Sequence, residues 1–278
     1  MKSKKQIILF DEDWFSNASS RKVGKEWVDE VVNQINGSGG IYLSTLRLWF
    51  DRFPLSNKHK KHLKQALESF NNYDHLGAVN ELAWWQFINS FGWSASPIKA
   101  GNYKRPDFHI IEPIEFFCEV TTSNLSEKEK KLIESGEGAP LNHNVTIERF
   151  LRVVEEKVEQ IKYGASKKKP SVLILFDYTT WSGFGTQLYR ELANILLGNI
   201  IGFSKLPSEL SAIVYVERKV LPEGNIVFSK DRSAVYHNPN ALFKLPISVF
   251  QMMRQFLLHV EELQATLDQN KSVNWFWL

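Results

Sequence analysis

The sequence predicts a mixed α/β protein, and three features carry this prediction. The run Ser171–Asp177 (SVLILFD) is almost continuously apolar, which is typical of a strand buried on both faces. Residues 145–163 carry apolar side chains at helical spacing, which indicates an amphipathic helix before that strand. The hydrophobic fraction of 43% and the charged fraction of 23% are ordinary for globular proteins, so disorder of the whole chain is excluded.

The chain divides into a helical segment at residues 1–71 and an α/β core at residues 72–278. The first segment has spaced apolar residues without alternation, which is typical of short helices. From residue 72 onward, apolar spacing and turn residues predict a succession of helices and strands. We place helices at 74–91, 145–163, 186–197 and 245–267, the last a long C-terminal helix, and strands near 97–101, 107–112, 115–122, 171–177 and 211–217.

Composition limits the compartment and the partners. Cys118 is the single cysteine, which excludes an internal disulfide and a zinc site built from several cysteines. No apolar run approaches the roughly 20 residues that a membrane-spanning helix needs. We therefore predict a cytoplasmic protein with no membrane contact. The net charge of +3 permits a polyanionic partner without requiring one.

Glu81 is the only charged residue within the apolar segment 76–91 (LGAVNELAWWQFINSF). This segment is apolar around most of its circumference, so its helix should be buried on more than one face. A lone buried carboxylate is costly unless it meets a cation, a metal or several donors. Two interpretations remain open: Glu81 lies at a solvent-facing gap or pairs with a basic side chain, or it serves a function.

Two further carboxylates lie in the predicted strands that follow. Side chains alternate along a strand, so Glu119 shares a face with Phe117 and Thr121, and the opposite face carries Phe116, Cys118 and Val120. If the two strands form a hairpin, Asp107 and Glu119 approach each other. Two carboxylates held together repel unless a hard cation such as Mg²⁺ lies between them.

These residues together resemble the PD-(D/E)XK nuclease superfamily. The likeness rests on a helix bearing Glu81, on the pair Pro106-Asp107, and on the strand motif Glu119-Val-Thr121. It covers residues 72–180, about two fifths of the chain. The resemblance implies a restriction-endonuclease-like αβββαβ core.

The resemblance also implies an activity and a ligand set. It points to a Mg²⁺-dependent deoxyribonuclease of the endonuclease type, which hydrolyses DNA without a covalent intermediate and accepts Mn²⁺ in place of Mg²⁺. Asp107, Glu119 and the backbone carbonyl of Val120 would ligate the metal. Glu81 would be a further ligand, directly or through water.

The sequence departs from the family pattern at Thr121, where the family has lysine. That lysine would orient the attacking water and offset charge on the phosphate. Lys157 is the foremost substitute, because it lies beside the apolar stripe of the helix at 145–163; either it reaches inward or it extends along the core into water. Thr121 itself would contribute its hydroxyl. Four residues are candidate nucleic-acid contacts: Lys99, Lys104, Arg105 and Gln160.

The missing lysine leaves a second hypothesis open. The chain would then be an inactive protein of the nuclease fold that binds nucleic acid or assembles with a partner. Its apolar end, Trp275–Leu278, favours docking onto the chain itself or onto a second copy, which makes a homodimer one of two alternatives.

Overall fold

The computed structural model describes residues 7–22, 24, 27–29, 39–98, 104–124, 143–177, 192, 196, 206–257, 262–263 and 275–278. The chain forms two compact units. The first comprises residues 1–91, 220–227 and 277–278, and the second comprises residues 92–219 and 228–276. The domain boundary placed at residue 72 stays a prediction.

The first unit is built mainly from helices. The longest begins after Asn71, whose side-chain oxygen accepts hydrogen bonds from the N–H groups of Tyr73 and Asp74 at 2.8 and 3.4 Å. This cap satisfies donors that a helix start leaves open. The helix predicted at 74–91 is therefore confirmed. The helices are α1 (Glu12–Ser20), α2 (Gly39–Arg52), α3 (Asn57–Leu67) and α4 (Asn72–Ser90).

A mixed sheet of eight strands forms the centre of the second unit, which confirms the predicted mixed α/β class. Its order is β1-β2-β3-β4-β5-β8-β9-β10, and a smaller sheet has the order β11-β7-β6. The strands are β1 (Ala95–Pro97), β2 (Phe108–Ile110), β3 (Phe116–Ser123), β4 (Ser171–Asp177), β5 (Ala212–Val216), β6 (Arg218–Val220), β7 (Ile226–Ser229), β8 (Ala234–His237), β9 (Arg254–Phe256), β10 (Glu262–Leu263) and β11 (Trp275–Trp277).

Strand direction divides the large sheet into two parts. Strands β1, β2 and β3 are antiparallel neighbours, whereas β3, β4 and β5 run parallel. Parallel neighbours need a crossover connection, which is usually helical. Between β3 and β4 the crossover contains α5 (His143–Glu156) and α6 (Val158–Ser166).

The apolar core of the second unit lies between this crossover and one face of the sheet. Both helices and four of the sheet strands contribute buried side chains to it. Burial of such apolar surface is the main favourable term that holds the crossover on the sheet. The core members include Phe150, Val153, Val154, Ile161, Leu173, Leu175, Ile213, Tyr215, Ala234, Tyr236 and Phe256.

The predicted C-terminal helix at 245–267 is wrong. The described residues of that segment form a 3₁₀ turn at Ile247–Phe250 and the short strands β9 and β10. Residue Gln255 of β9 pairs with Val235 of β8, so the sheet satisfies the backbone of this segment. Most of the helix predicted at 186–197 lies outside the described residues; Leu192 and Leu196 are helical and buried.

Among the described residues, no helix combines the length and the apolar character that crossing a membrane requires. The apolar chain end forms β11 beside β7, which buries Phe276 and leaves Trp277 53% exposed. The predicted homodimer stays a prediction.

Gly164 provides a test of the packing between α6 and β4. A methyl group added at Gly164 would collide with the Ser171 hydroxyl, which donates a hydrogen bond of 2.6 Å to the Ile161 carbonyl. We expect Gly164→Ala to lower the free energy of unfolding by about 1–3 kcal/mol. Gly77→Ala is the matched control: no atom lies within 4 Å of the added methyl, and helix propensity predicts a gain of about 0.5–1 kcal/mol. Urea unfolding measures both, and unchanged stability of Gly164→Ala would contradict this packing.

Candidate functional site

Antiparallel pairing of β2 and β3 brings Asp107 and Glu119 together. The register opposes Phe108 to Cys118, so the residue before Phe108 lies opposite the residue after Cys118. The Val120 N–H donates a hydrogen bond of 2.8 Å to Asp107 Oδ2, which ties Asp107 to β3. The approach of the two carboxyl groups, expected from a hairpin, is therefore present in the structure.

The Glu119 carboxyl is buried, and Asp107 beside it is half-buried. The Glu119 side chain is only 5% exposed. Burial raises the pKa of Glu119 to about 8; the charge of Asp107 adds to this rise and Lys157 opposes it. Burial also raises the pKa of Asp107, and the Val120 hydrogen bond offsets part of that rise. Two carboxyls this close, shielded from solvent in part or in full, resist ionising together, so the pair retains a proton near neutral pH.

Lys157 supplies the positive charge of the site. Its Nζ lies 2.6 Å from Glu119 Oε1, and its side chain is 25% exposed. Burial lowers the pKa of Lys157, but the charge and hydrogen bond of Glu119, together with the charge of Asp107, outweigh burial and raise that pKa. Lys157 is therefore an ammonium at neutral pH. Of the two orientations that the sequence left open, the structure has the inward one.

Lys157 lies at a bend between α5 and α6. The sequence predicted one helix at 145–163, whereas Lys157 separates two helices with φ −100° and ψ 4°. The Lys157 N–H still donates to the Val153 carbonyl at 3.2 Å, and the Ile161 N–H donates to the Lys157 carbonyl at 3.0 Å. The connection is therefore bent but not unwound. Val153 and Ile161 anchor the two sides of the bend in the core.

Thr121 and Gln160 lie near these three residues in the chain. Alternation along β3 places Thr121 on the same face as Glu119, one position farther along that face. Gln160 follows Lys157 in the first turn of α6 and is partly buried. Its side-chain oxygen Oε1 is buried and accepts no hydrogen bond from the described residues.

The remaining predicted residues are Lys99, Lys104, Arg105 and Glu81. Lys104 and Arg105 are exposed just before Asp107. Lys99 lies outside the described residues. Glu81 is partly buried on α4, in the first unit, and its part in a metal site stays a prediction.

Sequence reasoning missed an ion-pair network at the closed end of the hairpin. His109 Nε2 lies 3.0 Å from Glu115 Oε1, and Lys169 Nζ lies 2.6 Å from Glu115 Oε2. Lys169 and His109, in that order, hold the pKa of Glu115 below its ordinary value. His109 also stacks on Phe117, its partner across the strands. A prediction of the hairpin register from the sequence would have placed His109 beside this end of β3.

The two carboxyl groups are the ligand type that a hard cation such as Mg²⁺ prefers. Glu119 Oε2 is buried and accepts no hydrogen bond from any described donor. A proton or a cation beside Asp107 would satisfy it. Among the described residues, no group of three His, Cys, Asp or Glu side chains is arranged to hold a metal ion. Mg²⁺ is commonly held by one or two carboxylates plus waters and substrate phosphates, so two carboxylates and the Val120 carbonyl fit it.

No family model, curated protein or solved structure matches this chain. The resemblance to the PD-(D/E)XK nucleases therefore stays a prediction from the sequence motifs. What the geometry offers is a pair of carboxyl groups that share buried surroundings with one ammonium group.

We expect the metal-free protein to lose stability as the pH rises from about 5 to about 8. The pKa of Glu119 in the folded protein lies above that of an ordinary carboxyl. The stabilisation from its bound proton is complete below the unfolded pKa and is lost as the pH rises through the folded pKa. Urea unfolding in EDTA at both pH values measures the fall. Glu119→Gln cannot ionise and should show a smaller fall, whereas equal falls in the two proteins would contradict the expectation.

Proposed function

We propose that the chain is a metal-dependent nuclease that hydrolyses phosphodiester bonds of DNA. One observation carries the proposal: Asp107, Glu119 and Lys157 come from three separate elements and converge in a buried site. Structural ion pairs are usually exposed and hold one charge of each sign. A buried and a half-buried carboxyl with raised pKa values beside one ammonium are instead typical of a catalytic site.

The order of the elements supports the same proposal. From Asn72 to Asp177 the chain runs helix, three antiparallel strands, a helical crossover and a strand parallel to the third. This is the αβββαβ order that the resemblance implies for a restriction-endonuclease-like core. Asp107 directly precedes the second strand of that order, and Glu119 lies on the third.

The residues of the site have separable tasks in this proposal. Asp107, Glu119 and the Val120 carbonyl would hold Mg²⁺ or Mn²⁺. When bound, the metal lowers the pKa of a water ligand and offsets charge on the scissile phosphodiester. The proton retained by the two carboxyls leaves when they become ligands, because ligands bind a cation in their deprotonated form.

Lys157 takes the place of the lysine that the family has at the position of Thr121. As an ammonium it cannot act as a base; it orients the attacking water and stabilises negative charge on the phosphate. The Thr121 hydroxyl lies on the same face and offers a further donor. Lys104, Arg105 and Gln160 would contact the DNA near the scissile bond, and Lys99 extends this set.

One observation favours a second candidate function. Thr121 replaces the family lysine, and the Lys157 ammonium is already bonded to Glu119. A chain of this kind would bind nucleic acid or a partner without turnover. Binding of this type weakens as salt increases, because phosphate contacts release counterions.

We expect purified protein to cut DNA only with a metal ion present. Supercoiled plasmid, linear duplex and single-stranded DNA are incubated with Mg²⁺, Mn²⁺ or EDTA, and products are resolved on gels. Asp107→Ala and Glu119→Ala should lower the rate by about 10²-fold or more, since each removes a charge at the reacting centre. Asp107→Asn and Glu119→Gln keep the side-chain shape, so the same loss of cleavage in them would come from the lost charge and not from a folding defect.

The outcomes separate the two candidate functions. Full cleavage by both alanine variants would refute the nuclease site. Salt-sensitive DNA binding without cleavage in any metal would establish the inactive alternative. The plasmid products also distinguish nicking from cutting of both strands.

Lys157→Ala should lower the cleavage rate by about 10²-fold with little change in stability of the metal-bound form. Lys162→Ala is the matched control, because Lys162 on α6, shortly after Lys157, is exposed and pairs only with Glu159 among the described residues. Thr121→Lys in the Lys157→Ala background restores the family motif on the face of Glu119 and should recover activity. Loss in the single variant without recovery in the double variant would mean that Lys157 acts through structure.

A further inference from the structure

The turn that joins α6 to β4 consists of consecutive lysines. The N–H groups of Lys167 and Lys169 both donate to the Gly164 carbonyl, at 2.9 and 3.0 Å. The N–H group of Lys168 donates to the Ala165 carbonyl at 2.9 Å. The backbone of the turn therefore satisfies carbonyl groups that the end of a helix leaves open.

Lys168 has a left-handed backbone conformation, with φ 58°. The residue that follows a helix commonly needs this conformation to close such a turn, and glycine usually provides it. A residue with a Cβ atom is strained there, because Cβ comes too close to the following carbonyl oxygen. Cations are favourable near the end of a helix, but Lys167 and Lys169 already supply two. Helix termination therefore explains the backbone of Lys168 and leaves its side chain unexplained.

The side chains of this turn carry an excess of positive charge. Residues 160–176 include four lysines and no aspartate or glutamate. Lys169 Nζ lies 2.6 Å from Glu115 Oε2, so a carboxylate offsets its charge. Lys167 and Lys168 are exposed, and neither forms an ion pair with a carboxylate of the described residues. Two positive charges therefore face solvent at this turn, which favours an anionic partner.

Aromatic packing connects the turn to the face that carries the candidate active site. Lys167 Nζ lies 5.7 Å from the centre of the Tyr163 ring. That ring packs edge to face against Phe117, with the ring centres 5.2 Å apart. Phe117 and Glu119 lie two residues apart on β3, so alternation places them on the same face of the sheet.

We infer that Lys167 and Lys168 bind phosphate groups of the nucleic-acid backbone. The inference rests on the proposed function, because it names a second contact for the same substrate. Glu119 pairs with Leu173, four residues beyond Lys169, which amounts to about 13 Å along the strand direction. This length equals about four steps of the 3.4 Å rise along one strand of DNA, so one DNA molecule can contact both places. Strained backbone is concentrated at functional positions, which accounts for a lysine at residue 168.

Equilibrium binding in EDTA tests the inference without cleavage. A short fluorescein-labelled duplex is titrated with protein, and its anisotropy is followed at several salt concentrations. Lys168→Gly should bind about three- to tenfold more weakly at low salt, because it removes one phosphate contact. Its slope of log affinity against log salt should be smaller by about 0.9. Lys167→Gln should show a loss of the same kind.

The stability of Lys168→Gly should change in the opposite direction to its affinity. Glycine adopts the left-handed conformation without strain, so the midpoint of thermal unfolding without DNA should rise by about 1–3 °C. A substitution that damaged the fold would instead lower both the midpoint and the affinity. Weaker binding by a more stable protein therefore assigns the lost affinity to the missing ammonium group.

Two control variants separate this turn from lysine surface charge in general. Lys162→Gln is the matched control, because Lys162 is exposed on α6 and its Nζ lies 3.2 Å from Glu159 Oε1. This variant should keep the affinity and the salt slope of the unmodified protein. Lys168→Arg keeps the positive charge at the same position and should keep most of the affinity.

The outcomes separate this inference from the proposed function. If the unmodified protein binds and cuts DNA, and Lys168→Gly binds with the same affinity and slope, the phosphate contact is refuted and the nuclease stands. If Lys168→Arg binds as weakly as Lys168→Gly, or if Lys168→Gly lowers the unfolding midpoint, the turn acts through structure and the inference is also refuted. If the unmodified protein binds without cutting and Lys168→Gly weakens binding, the inference stands for the inactive alternative. If the unmodified protein does not bind DNA, the inference fails.

Discussion

The antiparallel register of β2 and β3 is the constraint on which the site depends. A slip by one residue would turn Glu119 to the opposite face and away from both Asp107 and Lys157. Apolar burial holds the register, because Phe108 and Cys118 are opposed and neither is exposed to solvent. The chemistry of the site is thus set by the packing of residues that take no part in it.

Local periodicity predicted much of this arrangement. Alternation along 116–121 assigns Glu119 and Thr121 to one face, because the period of a strand is two. The helical stripe at 145–163 places Lys157 next to buried valines, because the period of a helix is 3.6. The parallel strand Ser171–Asp177 followed from its continuous apolar character. In each case, the pattern and the structure share the same short-range cause.

The features that periodicity did not predict depend on contacts between segments distant in the chain. Residues 245–267 have helical apolar spacing, yet the part that contains Gln255 pairs with β8, and only the neighbouring strand decides this. The bend at Lys157 arises where two packed helices meet, and no glycine or proline marks it.

The origin of Lys157 in the crossover has a consequence for the order of folding. The carboxyl groups come from one hairpin, whereas the ammonium comes from 38 residues beyond Glu119 and arrives only with the crossover. Hairpins form faster than parallel pairings, which require closure of a long loop. We therefore expect the two acids to meet during folding before their counter-charge is present. The site is thus complete only after the βαβ connection has closed.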